Sequence, residues 1–141
     1  MDIVSHITDF HVGYEFAPVR FQLKSEEVEL YLQAVGESNA LFREQKFVPP
    51  SALAAYGLRG ILIEINLPPG AIHSAQATTV FRPITSDETI VFRAKLAQNA
   101  IWKGWRFVTG DYTGVDEDEK QVLQGRSTVV IPENQMGDNI Q

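Results

Sequence analysis

Residues 49–67 restrict the possible folds more than any other stretch of the chain. Pro49-Pro50-Ser51 opens a helix, because a proline in the first turn lacks only an N–H that would be unpaired there anyway. From Ala52 to Ile65 the chain is apolar nearly all round: Ala52, Leu53, Ala54, Ala55, Tyr56, Leu58, Ile61, Leu62, Ile63 and Ile65. At 1.5 Å per residue this helix is roughly 20 Å long. A helix that is apolar on every side is expected to be buried on every side. Leu67-Pro68-Pro69-Gly70 ends it. A membrane span needs ~20 mostly apolar residues, and this run is shorter and carries Arg59, Glu64 and Asn66. The rest of the chain therefore has to wrap it.

The wrapping is legible in the hydrophobic period. Before the helix, Val19, Phe21 and Leu23 alternate with polar residues, the strand pattern. Ser25 as N-cap, followed by Glu26 and Glu27, starts a first helix, with Val28, Tyr31, Leu32 and Val35 at helical spacing and Gly36 placed to end it. A short turn or helix follows over Asn39 to Gln45. After residue 70 the period is two. Ile72 to Phe81 and Thr89 to Ala97 read as strands, and Ile101 to Val115 with Gln121 to Ile131 as a long hairpin around Asp116-Glu117-Asp118-Glu119-Lys120. A run of helices followed by a run of strands predicts an α+β chain with an antiparallel sheet. Only a strongly curved sheet can wrap one apolar helix, which describes a hot-dog fold. Its open sheet edges lead us to expect dimerisation.

The 141 residues fit a single domain over 1–141, with polar residues 133–141 expected as a loose tail. No cysteine is present, which excludes disulfides, thiolate metal sites and a cysteine nucleophile. Twelve Lys and Arg against 18 Asp and Glu give a net charge of −6, not the electrostatic signature of a nucleic-acid or anionic-membrane binder. The opening Met1-Asp2-Ile3-Val4-Ser5-His6 has neither the basic nor the apolar region of a secretory signal, so a cytoplasmic protein is expected.

Three stretches together resemble the MaoC-like hydratase/dehydratase family, a hot-dog family acting on acyl-CoA or acyl-carrier-protein thioesters. The first is Tyr31-x-x-x-Val35-Gly36-Glu37-Ser38-Asn39-Ala40-Leu41-Phe42-Arg43-Glu44, similar to a helix ending in Gly-Asp, then Asn-Pro, a His and an Asp. The second, Phe47-Val48-Pro49-Pro50-Ser51, resembles the Ala-Pro-Pro-Thr that opens the central helix in the N-terminal, non-identical MaoC-type domains; the catalytic type reads Ala-His-Gly-Met there. The third, Val80-Phe81-Arg82-Pro83-Ile84 with Asp87-Glu88-Thr89-Ile90, is similar to the family's Phe-x-x-Pro-Val-x-x-Gly-Asp-x-Leu segment. The resemblance spans about residues 18–131.

The resemblance implies an aspartate, and a histidine five residues later, acting on water and on the acidic carbon beside the thioester carbonyl. In this chain those positions are Glu37 and Phe42, and phenylalanine cannot transfer a proton. Asn39 matches the family asparagine, and Glu44 matches its second acid in charge. The resemblance also implies a carbonyl-binding backbone N–H at the start of the central helix. Pro49 and Pro50 offer none, so Ser51 and the residues after it are the available donors.

Each candidate has a plain alternative. Glu37 is a general acid/base, if an apolar pocket raises its pKa, or a solvated acid after a helix end. Asn39 orients that acid, binds substrate, or caps the next turn. Phe42, Pro50, Ser51, Ala52 and Tyr56 line an acyl pocket or simply pack. Arg82 meets a phosphate of the CoA or carrier arm, or forms a surface ion pair, the favoured reading. His73 stands outside the family's catalytic positions, and His6 and His11 group with no ligand cluster. Asp116 to Glu119 lacks calcium-loop spacing and reads as a solvated turn. Gly57-x-x-Gly60 reads as a close-packing site against the sheet. Trp102 and Trp105 are expected on opposite faces of one strand. No serine has a Gly-x-Ser-x-Gly context.

The resemblance therefore implies an (R)-specific enoyl-thioester hydratase / 3-hydroxyacyl-thioester dehydratase subunit, with an incomplete dyad and no metal or cofactor. Its partners would be an acyl-CoA or acyl-carrier-protein thioester and either a second copy or a catalytic MaoC-type chain in a heteromer. The Phe42 and Pro-Pro departures favour an accessory, acyl-binding half of such a heteromer. A hot-dog thioesterase using Glu37 and a non-catalytic acyl-thioester binder are the alternatives.

Overall fold

The computed structural model describes residues 5–62 and 65–133. A short strand β1 (Ser5–His6) and a 3-10 turn (Ile7–Asp9) lead into an arm that lays Phe10, Tyr14 and Phe16 against one another. Strand β2 (Val19–Gln22) follows, then helix α1 (Ser25–Val35), the short helix α2 (Ala40–Glu44) and the central helix α3 (Pro50–Leu62). Strand β3 (Ile65–Asn66) pairs in parallel with β1. The long strands β4 (Ile72–Val80), β5 (Thr89–Trp102), β6 (Trp105–Val115) and β7 (Gln121–Pro132) complete an antiparallel sheet of order β2-β5-β6-β7-β4. Helix α3 lies against β4, β5, β6 and β7. This is the expected α+β hot-dog architecture. No helix among the described residues is long and apolar enough to cross a membrane.

The sheet forms where the two-residue period placed it. Ile90, Phe92, Ala94 and Leu96 of β5 are buried while Arg93 and Lys95 point outward. Two boundaries, the end of β5 and the start of β6, differ from expectation by more than one residue. Strand β5 does not stop at Ala97: it passes a bulge between Leu96 and Gln98 and runs on to Trp102. The polar Gln98-Asn99 pair imitates a turn, yet Asn99 lies inside the strand because its amide has work there. It donates to Ile7 O at 2.9 Å and Phe10 O at 3.1 Å, and its oxygen accepts from Arg106 at 2.8 Å. The reversal is instead at Lys103-Gly104, both at positive φ (50° and 81°). Trp102 and Trp105 therefore belong to two strands, paired across that turn, and both are exposed.

The helices carry three further corrections. Lys24, not Ser25, is the N-cap of α1, with Lys24 N–H donating to the Glu27 carboxylate at 3.4 Å. Gly36 ends α1 as expected, at φ 72°. Helix α3 is not buried all round. Ala52, Leu53 and Gly57 are buried, Tyr56 and Leu58 half-buried, and Ser51, Ala55 and Arg59 exposed. One curved sheet covers one side of a cylinder, and the arm and α1 leave part of the other open. Ile65 is in β3 rather than the helix. Ile63 and Glu64, the residues before Ser5, and 134–141 of the expected tail lie outside the described residues. Glu133 is tied down, donating its N–H to Gly104 O at 2.9 Å and pairing with Arg106 at 3.3 Å.

The seat of α3 is set by one aromatic ring. A Cβ on Gly57 would come 2.6 Å from the Tyr112 ring, and one on Gly125 would come 2.2 Å from it. The ring is thus held between two glycines, so Gly57 is the close-packing site expected from the sequence. The Tyr112 hydroxyl bonds Gln76 at 2.9 Å and Thr78 at 2.6 Å, and Gln76 also donates to Ala54 O of α3 at 2.8 Å. A buried polar group that is hydrogen-bonded keeps the position it is given.

Candidate functional site

The start of α3 collects the open chemistry. Pro50 has no N–H. The N–H groups of Ala52 and Leu53 both turn back to Pro49 O, at 3.0 and 3.3 Å. That leaves the Ser51 N–H as the first-turn donor without an acceptor among the described residues. Beside the neighbouring Ala52 lies a cleft of about 240 Å³ between α1 and α3, lined also by Leu23, Glu27, Val28, Leu30, Tyr31, Ala55 and Tyr56. Its wall is aromatic. Tyr56 stacks on Phe21 with centroids 4.4 Å apart, and Phe21 stacks on Phe92 at 4.8 Å. Burial, with the nearby Glu27 charge, raises the Tyr56 pKa, so this hydroxyl stays protonated and can only donate or accept a hydrogen bond. The hydroxyl of Tyr31, one of the lining residues, donates to Ser51 Oγ at 2.5 Å.

Of the expected substrate-binding residues, Ala52 and Tyr56 line this cleft, Ser51 is joined to it through its bond to the lining residue Tyr31, and Pro50 precedes Ser51 at the same helix end. Phe42 and Arg82 are elsewhere. Phe42 lines a separate cleft of about 370 Å³ with Val28, Glu29, Leu32 and Arg43, on the other side of α1. Arg82 is an ion-pair residue, the favoured of its two readings: it bonds Glu88, Asp116 Oδ2 at 3.0 Å, and Pro83 O at 3.0 Å. These bonds hold the Arg82 proton more firmly than usual and pull the Glu88 carboxyl below its usual range. Asp116 is accordingly not a freely solvated turn residue. It accepts from Arg82 and from the N–H groups of Asp118 and Lys120, both at 2.9 Å, and its pKa is lowered, chiefly by the Lys120 N–H.

The corner between α1 and α2 holds the two expected catalytic residues. Asn39 is the N-cap of α2, its Oδ1 accepting the Leu41 N–H at 3.0 Å. Its capping reading is therefore the one the geometry supports. Glu37 is half-buried. Its N–H donates to Leu32 O at 2.9 Å and its carbonyl accepts from Arg43 at 3.1 Å. Its carboxylate makes no hydrogen bond or ion pair among the described residues. Arg43 is fixed by Glu29, with Nε at 3.0 and 3.1 Å from its two oxygens. Glu37 and Phe42, the pair to which the resemblance assigned the dyad, offer one carboxylate and one ring that cannot transfer a proton. His73 is exposed on β4. Among the described residues no three His, Asp or Glu side chains gather as a metal site.

Two contributors, Phe21 and Tyr31, were not among the expected site residues, although Tyr31 opens the first family-like stretch. Tyr31 did carry a signal: a half-buried tyrosine hydroxyl normally finds a partner. The nearest hydroxyl, twenty residues on, is not visible without the fold.

A family model described as the FAS1-like dehydratase domain region matches residues 10–124. No curated protein sequence matches the chain. Among solved structures, the (R)-hydratase from A. caviae involved in PHA biosynthesis is similar with TM-score 0.67 and 17% identity, over 87% of this chain and 98% of that one. The C-terminally truncated HadBC (3R-hydroxyacyl-ACP dehydratase) complex from Mycobacterium tuberculosis gives TM-score 0.70 and 15% identity, over 91% and 99%. A MaoC-like dehydratase from Rhodospirillum rubrum gives 0.65 and 14%, over 90% and 96%. The hot-dog fold and the match over most of the sequence agree: the chain belongs to the FAS1-like dehydratase-domain family, a MaoC-like group of hydratases and dehydratases.

Proposed function

We propose that this chain is the acyl-binding, accessory half of a MaoC-like (R)-specific enoyl-thioester hydratase / 3-hydroxyacyl-thioester dehydratase, working beside a chain that retains the Asp and His. The observation that carries the reading is the division of the site. The dyad positions hold Glu37 and Phe42, which cannot pass a proton between them. The start of α3 keeps an open N–H at Ser51 next to an apolar cleft. In hydration, hydroxide equivalent from water bonds to C3 of the enoyl group and a proton to C2, while negative charge develops on the thioester oxygen. A donor aimed at that oxygen stabilises it. Ser51 supplies the donor, and Ala52, Tyr31 and Tyr56 shelter the carbons next to it. The HadBC dehydratase is a complex of chains, which supports a heteromeric assembly here. A CoA or carrier-protein thioester as substrate fits a cytoplasmic location.

The test is to mix the purified chain with crotonyl-CoA, alone and with a MaoC-type chain that retains both dyad residues. Binding without hydration alone, and hydration in the mixture above that of the partner by itself, is expected. Hydration by this chain alone that is lost in Glu37→Gln would make it an altered complete enzyme. Release of free CoA would make it a thioesterase. A chain that pairs only with itself would overturn the heteromer.

A further inference from the structure

We infer that Tyr31 is a positioning residue that turns the Ser51 hydroxyl into a second donor for the thioester carbonyl, replacing the backbone donor that Pro50 lacks. This rests on the acyl-thioester reading above. A serine hydroxyl has one hydrogen to give and two lone pairs to accept with. The Tyr31 hydroxyl takes one lone pair at 2.5 Å. The Ser51 hydrogen is then unspent, and Ser51 Oγ has no second partner among the described residues. Its own N–H is also unspent, so one residue presents two donors from the same helix turn. Tyr31 is well placed to hold it. Its ring lines the cleft between α1 and α3 together with Ala52, the residue after Ser51. An exposed serine on a helix start samples several rotamers, whereas one anchored by a half-buried ring loses less freedom on binding. Paired donors preset for one oxygen are the arrangement that favours developing negative charge over a neutral ligand atom.

The experiment compares two probes that differ only in the carbonyl: crotonyl-CoA and its thioether counterpart, but-2-enyl-CoA, titrated calorimetrically. The wild-type chain is expected to prefer the thioester. Ser51→Ala keeps the N–H and loses the hydroxyl, and should lower that preference about 5-fold, the worth of a neutral hydrogen bond. Tyr31→Phe should lower it in the same direction with little change in thioether affinity. Ser51→Thr, which restores a hydroxyl, should recover it. A purely structural role for Tyr31 would weaken both probes together and overturn the inference. So would an unchanged preference in Ser51→Ala, or no preference in the wild type. If neither probe binds the wild-type chain, the acyl-thioester reading itself fails.

Discussion

Asn39 and Ser51 stand at the starts of two successive helices, and both offer a side-chain oxygen there. Their uses differ. Asn39 Oδ1 is spent on the Leu41 N–H, closing the first turn of α2. Ser51 Oγ is spent on a residue of another helix, Tyr31, and keeps its own hydrogen. The same contrast runs through their surroundings. Around Asn39 the guanidinium is spent inside the corner: Arg43 bonds Glu29 and Glu37 O, and Phe42 packs onto the core, with only the Glu37 carboxylate left over. Around Ser51 the polar groups are held in place and left open. The corner thus spends its side-chain oxygen on the fold, and the helix start keeps donors unspent.

That separation depends on α3 being fixed from beneath, which gives the strongest way to break it. The Tyr112 ring has glycine on both sides, so it cannot retreat from a new Cβ on one without meeting the other. Gly125→Ala should therefore destabilise the fold by about 1–3 kcal/mol, the range for overpacking a core, and should also weaken crotonyl-CoA binding by moving α3. Gly57→Ala should cost less, since alanine in a helix regains up to ~1 kcal/mol over glycine. Denaturant unfolding of both variants, and of each combined with Tyr112→Leu, measures this. Additive losses in the double variants would show that the ring does not couple the two glycines.

A smaller effect separates the two starts directly. Asn39→Ala removes the cap of α2 and should cost about 1 kcal/mol of stability, read from the shift in a urea midpoint. Affinity for crotonyl-CoA should stay where it was. A loss of affinity without a loss of stability would return Asn39 to the binding site and end the contrast with Ser51.

The α+β hot-dog class was legible because period alone separates a strand from a helix, and because the apolar helix that starts at Pro50 needs a sheet to cover it, although that cover proved one-sided. The helix start at Pro50 and the end of α1 at Gly36 were legible for the same local reasons, a missing N–H and a left-handed φ. What local pattern could not show was where polar residues find distant partners. Asn99 fell outside the expected strands because its three partners, Ile7, Phe10 and Arg106, are not its neighbours in sequence. Asp116 looked solvated because Arg82 is 34 positions away. In the site, Glu37 and Phe42 could be read only through the resemblance. The pairing of Tyr31 with Ser51 is a contact between helices and has no period.

The weakest handle on the comparison is electrostatic, and its sign is fixed by the bonds at the α1–α2 corner. Hydrogen bonds from Arg43, and then from Gln33, lower the Glu29 pKa, outweighing the opposing effect of desolvation. A carboxylate whose pKa is lower folded than unfolded adds stability above its unfolded pKa, about 4.3. That stability is lost as the pH falls through the folded value. Arg43→Ala should bring the folded pKa back toward the ordinary one. The variant is then slightly less stable near neutral pH, and its stability falls less steeply on acidification below about pH 4.5. Both carboxylate and guanidinium are well exposed, so salt screens the pair and the change is small. The comparison is sharpened if this acid limb flattens while the preference for crotonyl-CoA over its thioether is untouched. A change in that preference would mean that Arg43, through Glu37 O and the end of α1, sets the position of Tyr31, and the corner and the helix start would then be one site after all.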